Sequence, residues 1–356
     1  MSELFNILQS VRTSEQKMVL ATIIDVEGSA YRKEGTMMLV FEDNLQIGLL
    51  SGGCLENDIL LRAAEVFKDQ QSRTLFYDMK SDDDTSWGLN NGCNGKITIS
   101  LEYVDAKLKK HLELLDKYIN QGVPVLHIKK LSHSNSVLSS IFIPAHHPQF
   151  GDLNHDELIS VSSTIFENNI NHKLFKKDLN RYFVQVFHPK PRLIIFGAGP
   201  DVRPLAEIAV KTGFYTVVTD WRPDYCTPMH FPTAHEVILE GPSKLLKSHP
   251  LTSKDSVIIM THHFQKDQEI LQSLIQENLT YLGVLGPRKR TQQLLNKEKI
   301  PEHLYSPIGL AIGAKGPDEI AISIIADVIK TYREKGCELD LWNIFSGRSK
   351  PKNGLS

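Results

Sequence analysis

The chain has 356 residues, of which 41% are hydrophobic and 23% are charged, and its formal net charge is -2. This length exceeds one ordinary domain and suits two, and the near-neutral charge argues against a general affinity for nucleic acid or for anionic membranes. No apolar run approaches the roughly 18 residues of a membrane-spanning helix.

Cysteine usage and the N-terminus indicate the compartment. The four cysteines are widely spaced and form no C-x-x-C pair, which argues against a zinc ribbon and against a secreted disulfide scaffold. The first residues carry no basic segment followed by an apolar one, as a secretory leader would. We therefore expect a cytoplasmic protein.

Residues 1–105 mix short strands with helices. A turn at Asp43-Asn44 predicts a hairpin, and a helical pattern over 55–67 follows an apolar strand over 45–50. A further helix is predicted over 105–120. The other strands predicted in the N-terminal half are 18–26, 36–41, 73–79, 96–104, 123–130, 137–144 and 182–187. These patterns predict an α+β domain over residues 1–190, whose motifs lie in 1–105.

Residues 145–180 are polar and their hydrophobic periodicity is weak, so we expect the least regular part of the chain here. The segment from His188 to Pro191 then carries two prolines, which disfavour helix in the residues before them. We place the domain boundary at Pro191.

The C-terminal half alternates strands with helices. Its strands read as continuous apolar runs, which are typical of a parallel sheet covered on both faces. Strands are predicted over 192–196, 215–220, 236–239, 256–260 and 281–285, with helices over 202–212, 266–278 and 317–336. The pattern predicts an α/β fold, with a Rossmann-like, doubly wound parallel-sheet domain over 191–340 and a tail over 341–356.

A glycine turn follows the first strand of this predicted sheet. Gly197 and Gly199 precede a helix and Asp220 ends the next strand, as in the fingerprint of dinucleotide-binding proteins, so NAD(P) is a candidate cofactor. Pro200 removes an N–H group that a phosphate could use, so a Rossmann-like turn without a dinucleotide is nearly as good an interpretation. His262 leaves another strand at the edge where ligands bind in such folds.

The N-terminal half offers a site of another kind. Cys54 follows Ser51, Gly52 and Gly53 at the start of a helical pattern, where the helix dipole and unpaired N–H groups favour a thiolate or an anionic ligand. Cys93 lies in a second glycine-rich segment. The alternative for either cysteine is a buried small hydrophobic side chain, the commonest fate of a cysteine outside a disulfide. We favour function for Cys54 and leave both interpretations open for Cys93.

A loop between two predicted strands carries a second candidate anion site. Gly28, Ser29 and Arg32 lie in it, and such a loop can hold a phosphate or carboxylate through backbone N–H groups and the guanidinium. On residue types alone, an ordinary turn with surface charges is the commoner explanation.

Seven short segments, taken in chain order, carry a family resemblance. They are Gly28-Ser29-Ala30-x-Arg32-Lys33-x-Gly35, Gly48-x-x-Ser51-Gly52-Gly53-Cys54-x-Glu56, Trp87-Gly88-Leu89-x-x-x-Cys93-x-Gly95, Phe196-Gly197-Ala198-Gly199, Thr261-His262, Gly283-x-x-Gly286 and Pro307-Ile308-Gly309-Leu310-x-Ile312-Gly313. In this order they resemble the XdhC/CoxI family, accessory proteins for the maturation of molybdenum hydroxylases such as xanthine dehydrogenase. The resemblance covers most of the chain outside residues 105–185.

The resemblance implies a protein that binds the molybdenum cofactor, protects it, and supports its sulfuration and its insertion into a xanthine-dehydrogenase-type apo-enzyme. It also implies a cysteine desulfurase as sulfur donor. By the resemblance, Cys54 contacts the metal head or a sulfur in transit, Glu56 orients Cys54, and Cys93 is an auxiliary thiol. The anionic parts would be held by Arg32 and by the glycine loops that contain Gly28, Ser29, Ser51, Gly52 and Gly53. The base rate for soluble proteins adds a homodimer.

The alternative is an enzyme, an NAD(P)-dependent oxidoreductase. It would bind the dinucleotide with Gly197, Gly199 and Asp220 and use His262 as a proton donor. It accounts for the C-terminal half alone, whereas an accessory protein that carries the molybdenum cofactor accounts for both halves.

Overall fold

The computed structural model describes residues 2–79, 94–168, 170, 172–335 and 345. The chain divides into two compact units, one that includes Ser2–Pro189 and one that begins at Lys190. The first contains the clusters around the N-terminal strands, and the second contains two clusters of its own. Each unit therefore has a separate hydrophobic core.

The first unit begins with a five-stranded antiparallel sheet. In chain order its strands and flanking helices are α1 (Ser2–Thr13), β1 (Met18–Ser29), β2 (Met37–Phe41), β3 (Gln46–Ile47), α2 (Glu56–Asp69), β4 (Arg73–Asp78), β5 (Asn94–Tyr103) and α3 (Ala106–Asn120). The strand order is β3-β2-β1-β5-β4. Among the described elements, β3 and β4 are therefore the edges of the sheet.

Alternate residues of β1 face opposite sides of this sheet, as the pleat requires. Val19, Ala21 and Ile23 pack with α2, whereas Met18 and Leu20 pack with α1 and α3. Since helices cover both faces, a ligand can reach this sheet at its ends and edges.

A second antiparallel sheet completes the first unit. Its elements are β6 (Val125–Leu131), β7 (Val137–Pro144), β8 (Phe150–Gly151), α4 (His155–Glu167), β9 (Lys173–Lys177) and β10 (Asn180–Phe187), with the strands in the order β8-β7-β6-β10-β9. A buried ion pair between Lys129 and Glu102 joins β6 to β5. Phe142 and Phe187 pack in the same cluster as α1 and α3, so the two sheets share one core.

The strand predicted over 45–50 is wrong in length. It is reduced to the two residues of β3, because Gly48 turns the chain with a φ of 92°. A Cβ on Gly48 would lie 2.6 Å from the carbonyl oxygen of Met37, so this turn requires glycine. The segment before Cys54 is therefore a loop.

The polar segment 145–180, expected to be the least regular, contains helix α4. Asn154 caps it by accepting a hydrogen bond from the Asp156 N–H at 2.9 Å. Three apolar side chains, Leu158, Val161 and Ile165, are buried on one face. The surrounding polar residues hide this narrow stripe from a periodicity argument.

The second unit is built on a six-stranded parallel sheet. Its elements are β11 (Arg192–Phe196), α5 (Val202–Lys211), β12 (Tyr215–Asp220), β13 (Glu236–Leu239), α6 (Pro242–Ser248), β14 (Ser256–Ile259), α7 (Phe264–Leu274), β15 (Tyr281–Val284), α8 (Arg288–Leu295), β16 (Leu304–Tyr305) and α9 (Gly316–Lys335). The order is β13-β12-β11-β14-β15-β16, and each of the pairs is parallel. The predicted Rossmann-like fold is confirmed.

Helices cover both faces of this parallel sheet. The helices α5 and α9 pack on one face, and α6, α7 and α8 pack on the other. The strand order reverses next to β11, since the chain runs from β11 outward to β13 and then returns to β14 on the other side. Ligands of such sheets bind where the order reverses, at the carboxyl ends of the strands.

Among the described helices, none combines the length with the apolar composition that a membrane crossing requires.

Candidate functional site

The loop that carries Cys54 is closed by a buried carboxylate. Glu56, the first residue of α2, accepts hydrogen bonds from the N–H groups of Ser51 at 2.7 Å and Leu50 at 3.2 Å. The Ser51 hydroxyl donates to the other carboxylate oxygen and accepts from the N–H groups of Leu55 and Gly53. These bonds hold the segment between β3 and α2 as one compact turn.

The charge of Glu56 suits this role. Burial raises the pKa of its carboxyl, but the hydrogen bonds from the Ser51 hydroxyl, the Ser51 N–H and the Leu50 N–H outweigh burial, so the pKa lies below its ordinary value. The positive end of α2 also favours the ionised form. These contacts make Glu56 the residue that shapes the loop around Cys54.

The outer surface of this loop is open. Gly52 and Gly53 are exposed, and a Cβ on either would meet no described atom within 4 Å. Gly53 has a φ of 106°, a conformation that side chains disfavour. Cys54 follows them as a half-buried thiol. The arrangement therefore presents a thiol beside exposed backbone at the N-terminus of α2.

The Gly28–Ser29 segment lies at the end of the same sheet. It pairs with the start of β5, with Gly28 opposite Gly95 and Ser29 opposite Asn94. A Cβ on Gly95 would lie 2.6 Å from the carbonyl oxygen of Ser29, so the two backbones approach too closely for a side chain. Ala30, which follows, packs against the cluster that contains Leu50 and Leu55 from the Cys54 loop. Both glycine loops therefore rest on one core cluster.

Arg32 is held by the chain itself. Its guanidinium donates to Glu3 of α1 at 2.5 Å and lies 5.6 Å from the ring centre of Tyr31. Its Nε is buried and has no hydrogen-bond partner in the described part of the chain. An anionic ligand would therefore have to share Arg32 with Glu3. The predicted thiol Cys93 lies outside the described residues.

At the carboxyl end of β11, the glycine turn is built as predicted. Gly197 has a φ of 124°, and a Cβ there would collide with the backbone of Met260, which follows β14. The Ala198 N–H, which a bound phosphate could use, instead donates to the Asp220 carboxylate at 2.8 Å.

The Asp220 carboxylate is fully buried and is bonded within the chain. Arg222 holds it with two hydrogen bonds, from Nε at 2.9 Å and from a terminal nitrogen at 2.6 Å. Burial raises the pKa of Asp220, but the bonds from Arg222 and from the Ala198 N–H together outweigh burial, so the pKa lies below its ordinary value. The expected hydrogen bond from Asp220 to a ribose hydroxyl is therefore not supported by the geometry.

His262 closes the other part of this crevice. Its Nε2 lies 2.7 Å from a carboxylate oxygen of Asp201, and its backbone adopts a φ of 60°. The other carboxylate oxygen of Asp201 lies 2.6 Å from the position of a Cβ on Gly199, so a negative charge stands over the glycine turn. A pyrophosphate would occupy this space in a dinucleotide complex. His262 is therefore a partner of Asp201, and the geometry does not support its predicted place in a dinucleotide site.

Sequence reasoning missed Asp201 and Arg222 as the residues that fill the crevice. A weak signal was present, because Arg222 follows the strand-ending Asp220 by two residues and can fold back on it. Among the described residues, no three His, Cys, Asp or Glu side chains converge as metal ligands. Any metal contact of Cys54 therefore depends on a metal that arrives with its own ligands.

Three family models match successive parts of the chain. They are described as "XdhC and CoxI family" over residues 11–78, "BH1974-like, central domain" over 106–188 and "XdhC Rossmann domain" over 193–328.

Individual relatives match over nearly the whole chain. A Bacillus subtilis protein, named as a probable subunit of xanthine dehydrogenase, is 40% identical over 333 residues, which cover 94% of this chain and 98% of that protein. The molybdenum cofactor insertion chaperone PaoD of Escherichia coli is 23% identical over 329 residues, which cover 89% and 85%. A crystal structure from Bacillus halodurans, described as a xanthine dehydrogenase, has a TM-score of 0.87 and 47% identity over 96% of this chain and 100% of that one. The predicted resemblance is confirmed, and the chain belongs to the XdhC and CoxI family.

Proposed function

We propose that this chain is an accessory protein that binds the molybdenum cofactor and supports its insertion into a xanthine-dehydrogenase-type apo-enzyme. Two relatives support the proposal, one named as part of a xanthine dehydrogenase and one named as a molybdenum cofactor insertion chaperone. The observation that carries it here is the Cys54 loop, where a half-buried thiol stands beside exposed glycine backbone at a helix N-terminus.

The chemistry of the cargo fits this loop. The molybdenum cofactor has a soft metal and sulfur head and an anionic phosphate, and thiolates suit soft metals whereas helix N-termini suit anions. In the proposal Cys54 binds the head, Glu56 and Ser51 hold the loop in shape, and Gly52 and Gly53 leave room for the approach.

Other roles follow from the resemblance and belong to the same proposal. Gly28, Ser29 and Arg32 hold anionic parts of the cofactor, and Arg32 does so together with Glu3 as its resting partner. Cys93 assists as a second thiol. A cysteine desulfurase supplies the terminal sulfur while this chain protects the cofactor.

The alternative of an NAD(P)-dependent oxidoreductase has no observation in its favour. Asp220 is bonded by Arg222, and Asp201 stands over the glycine turn together with His262. Both positions that would hold a dinucleotide are therefore filled by the side chains of this protein.

The test is anaerobic purification of the full chain, followed by oxidation and measurement of released pterin fluorescence. We expect pterin with the wild-type protein and much less with Cys54→Ala. The matched control is Cys226→Ala, since Cys226 is buried and donates its thiol hydrogen to the carbonyl of Ile238 in the other unit.

Two results would contradict the proposal. Wild-type protein that binds no pterin when the cofactor is supplied would remove cofactor binding. Equal pterin retention by the Cys54 and Cys226 variants would remove Cys54 from the site.

A further inference from the structure

Strand β4 is an edge of the first sheet in the described part of the chain. Its inner side pairs with β5, and the Met79 N–H just beyond it donates to the Gly95 carbonyl at 3.0 Å. In an antiparallel ladder the groups that point to the partner alternate along the strand. The odd-numbered residues of β4 therefore point to β5, and the backbone groups of Thr74 and Phe76 point outward.

A groove of about 530 Å³ runs along this outer edge. One wall is α2, through Asp58, Arg62 and Glu65, and the other is the turn between β6 and β7, with Ser134 and Ser136. The groove lies wholly within the first unit and is shaped like a slot beside a strand. Its shape suits an added strand better than a compact ligand.

Two side chains in the groove are incompletely used. Phe76 is 65% exposed, which is unusual for a large aromatic residue in a strand. The Thr74 hydroxyl is buried and has no hydrogen-bond partner among the described residues. A buried hydroxyl without a partner is costly, so an added strand that supplied an acceptor would stabilise this edge.

We propose that β4 pairs with β4 of a second copy of this chain, antiparallel and with the twofold axis at Phe76. In this register outward-pointing residues oppose outward-pointing residues, as an antiparallel ladder requires. Phe76 faces its own copy, and the pairing closes as a symmetric dimer.

The strand is complementary to itself in this register. Thr74 faces Asp78 of the second copy, so its hydroxyl gains a carboxylate acceptor. Leu75 faces Tyr77 of the second copy on the α2 side, and the two Phe76 rings form an aromatic pair. Such cross-strand pairs contribute roughly 0.2–1 kcal/mol each. The complementarity favours a second copy over an unrelated peptide as the occupant of the groove.

The inference is independent of the proposed function, and its test is the oligomeric state of the full chain. We expect wild-type protein to sediment as a dimer over a dilution series. Phe76→Lys places two like charges opposite each other, so we expect it to sediment as a monomer. The control is Leu138→Lys, because Leu138 is also a well-exposed apolar residue in a strand but lies on β7, and this variant should remain a dimer.

A second variant keeps the test decisive if Phe76→Lys fails to fold. Opposed residues of a hydrogen-bonded pair have Cα atoms about 5.5 Å apart, which a disulfide can span. Phe76→Cys should therefore cross-link to its own copy under mild oxidation, and Leu138→Cys should not. A wild-type monomer at all concentrations, a Phe76→Lys dimer, or equal cross-linking of the two cysteine variants would overturn the proposal.

Discussion

The carboxylate of Glu56 bonds both the backbone N–H and the hydroxyl of Ser51, five residues earlier in the chain. The loop that contains Cys54 is thus closed at its base while its outer surface stays exposed. The two residues decide the position of the thiol without forming any part of the exposed surface that a cargo would meet.

Replacing the Glu56 carboxylate with an amide should loosen this loop. In Glu56→Gln one oxygen that accepts hydrogen bonds becomes an NH₂ group, which cannot accept from the Ser51 and Leu50 N–H groups. We expect a loss of about 1–3 kcal/mol in the free energy of unfolding, measured by urea denaturation. Glu65→Gln on the same helix is the control, because Glu65 is half exposed and forms surface ion pairs.

Glu56 should also make stability depend on pH. Its pKa in the folded protein is lower than in the unfolded chain, so the stabilisation is present above the unfolded value of about 4.3 and is lost as pH falls through the folded value. Glu56→Gln should flatten this part of the stability profile. An identical acid profile for wild type and variant would contradict the assigned pKa shift.

The Asp220–Arg222 pair should be far more important for stability than a surface ion pair. Arg222→Ala leaves a buried carboxylate without its partner, and we expect a loss of about 3–5 kcal/mol. The measurement is thermal unfolding in a double-mutant cycle with Asp220→Asn, where the double variant should lose much less than the sum of the single variants. Additive losses would show that the two side chains act separately.

The buried imidazole of His127 should weaken the fold in mild acid. The ring stacks 3.9 Å from Phe142, and burial first and the Lys129 charge second hold its pKa well below the ordinary value. The unfolded chain therefore binds more protons, and stability should fall as pH drops below about 6.5. His127→Phe should reduce this loss in pH-dependent denaturation, whereas His133→Gln, at an exposed position, should leave it unchanged.

Nicotinamide nucleotides should leave the melting temperature unchanged. A nucleotide bound at 100 times its Kd would add about 2.7 kcal/mol of stability, which a thermal-shift assay detects readily. We expect no shift with NAD(P)H, because Asp201 and Arg222 fill the positions of the pyrophosphate and the ribose. A clear shift with wild-type protein would contradict this interpretation of the crevice. Asp201→Ala tests it further, since removal of the carboxylate over Gly199 should be insufficient while Asp220 stays bonded.

The parallel sheet could be predicted from the sequence because its strands are continuous apolar runs that end in glycine turns. The end of the strand at Gly48 could not, since it depends on the Met37 carbonyl of a neighbouring strand. Helix α4 was hidden for a related reason. Its three buried residues matter only because the second sheet lies beneath them.

The site was predictable to the level of residue types but not of contacts. Glycine and cysteine in sequence indicate a loop with a thiol, and the structure has that loop. Which acceptor a side chain finds depends on the tertiary fold, so the expectation that Asp220 serves a ligand missed its bond to Arg222. The same holds for Arg32, whose partner Glu3 lies in a helix 29 residues away.

The buried ion pair between Lys129 and Glu102 has a consequence for dissecting the protein. Family models divide the first unit near residue 105, yet α3 and β6 complete a core begun by α1 and β1, and a cut there would leave Glu102 as an isolated buried charge. The evolutionary modules at 11–78 and 106–188 are thus halves of one folding unit. A fragment that ends at residue 105 should be insoluble when expressed alone, whereas one that ends at Pro189 retains a complete core.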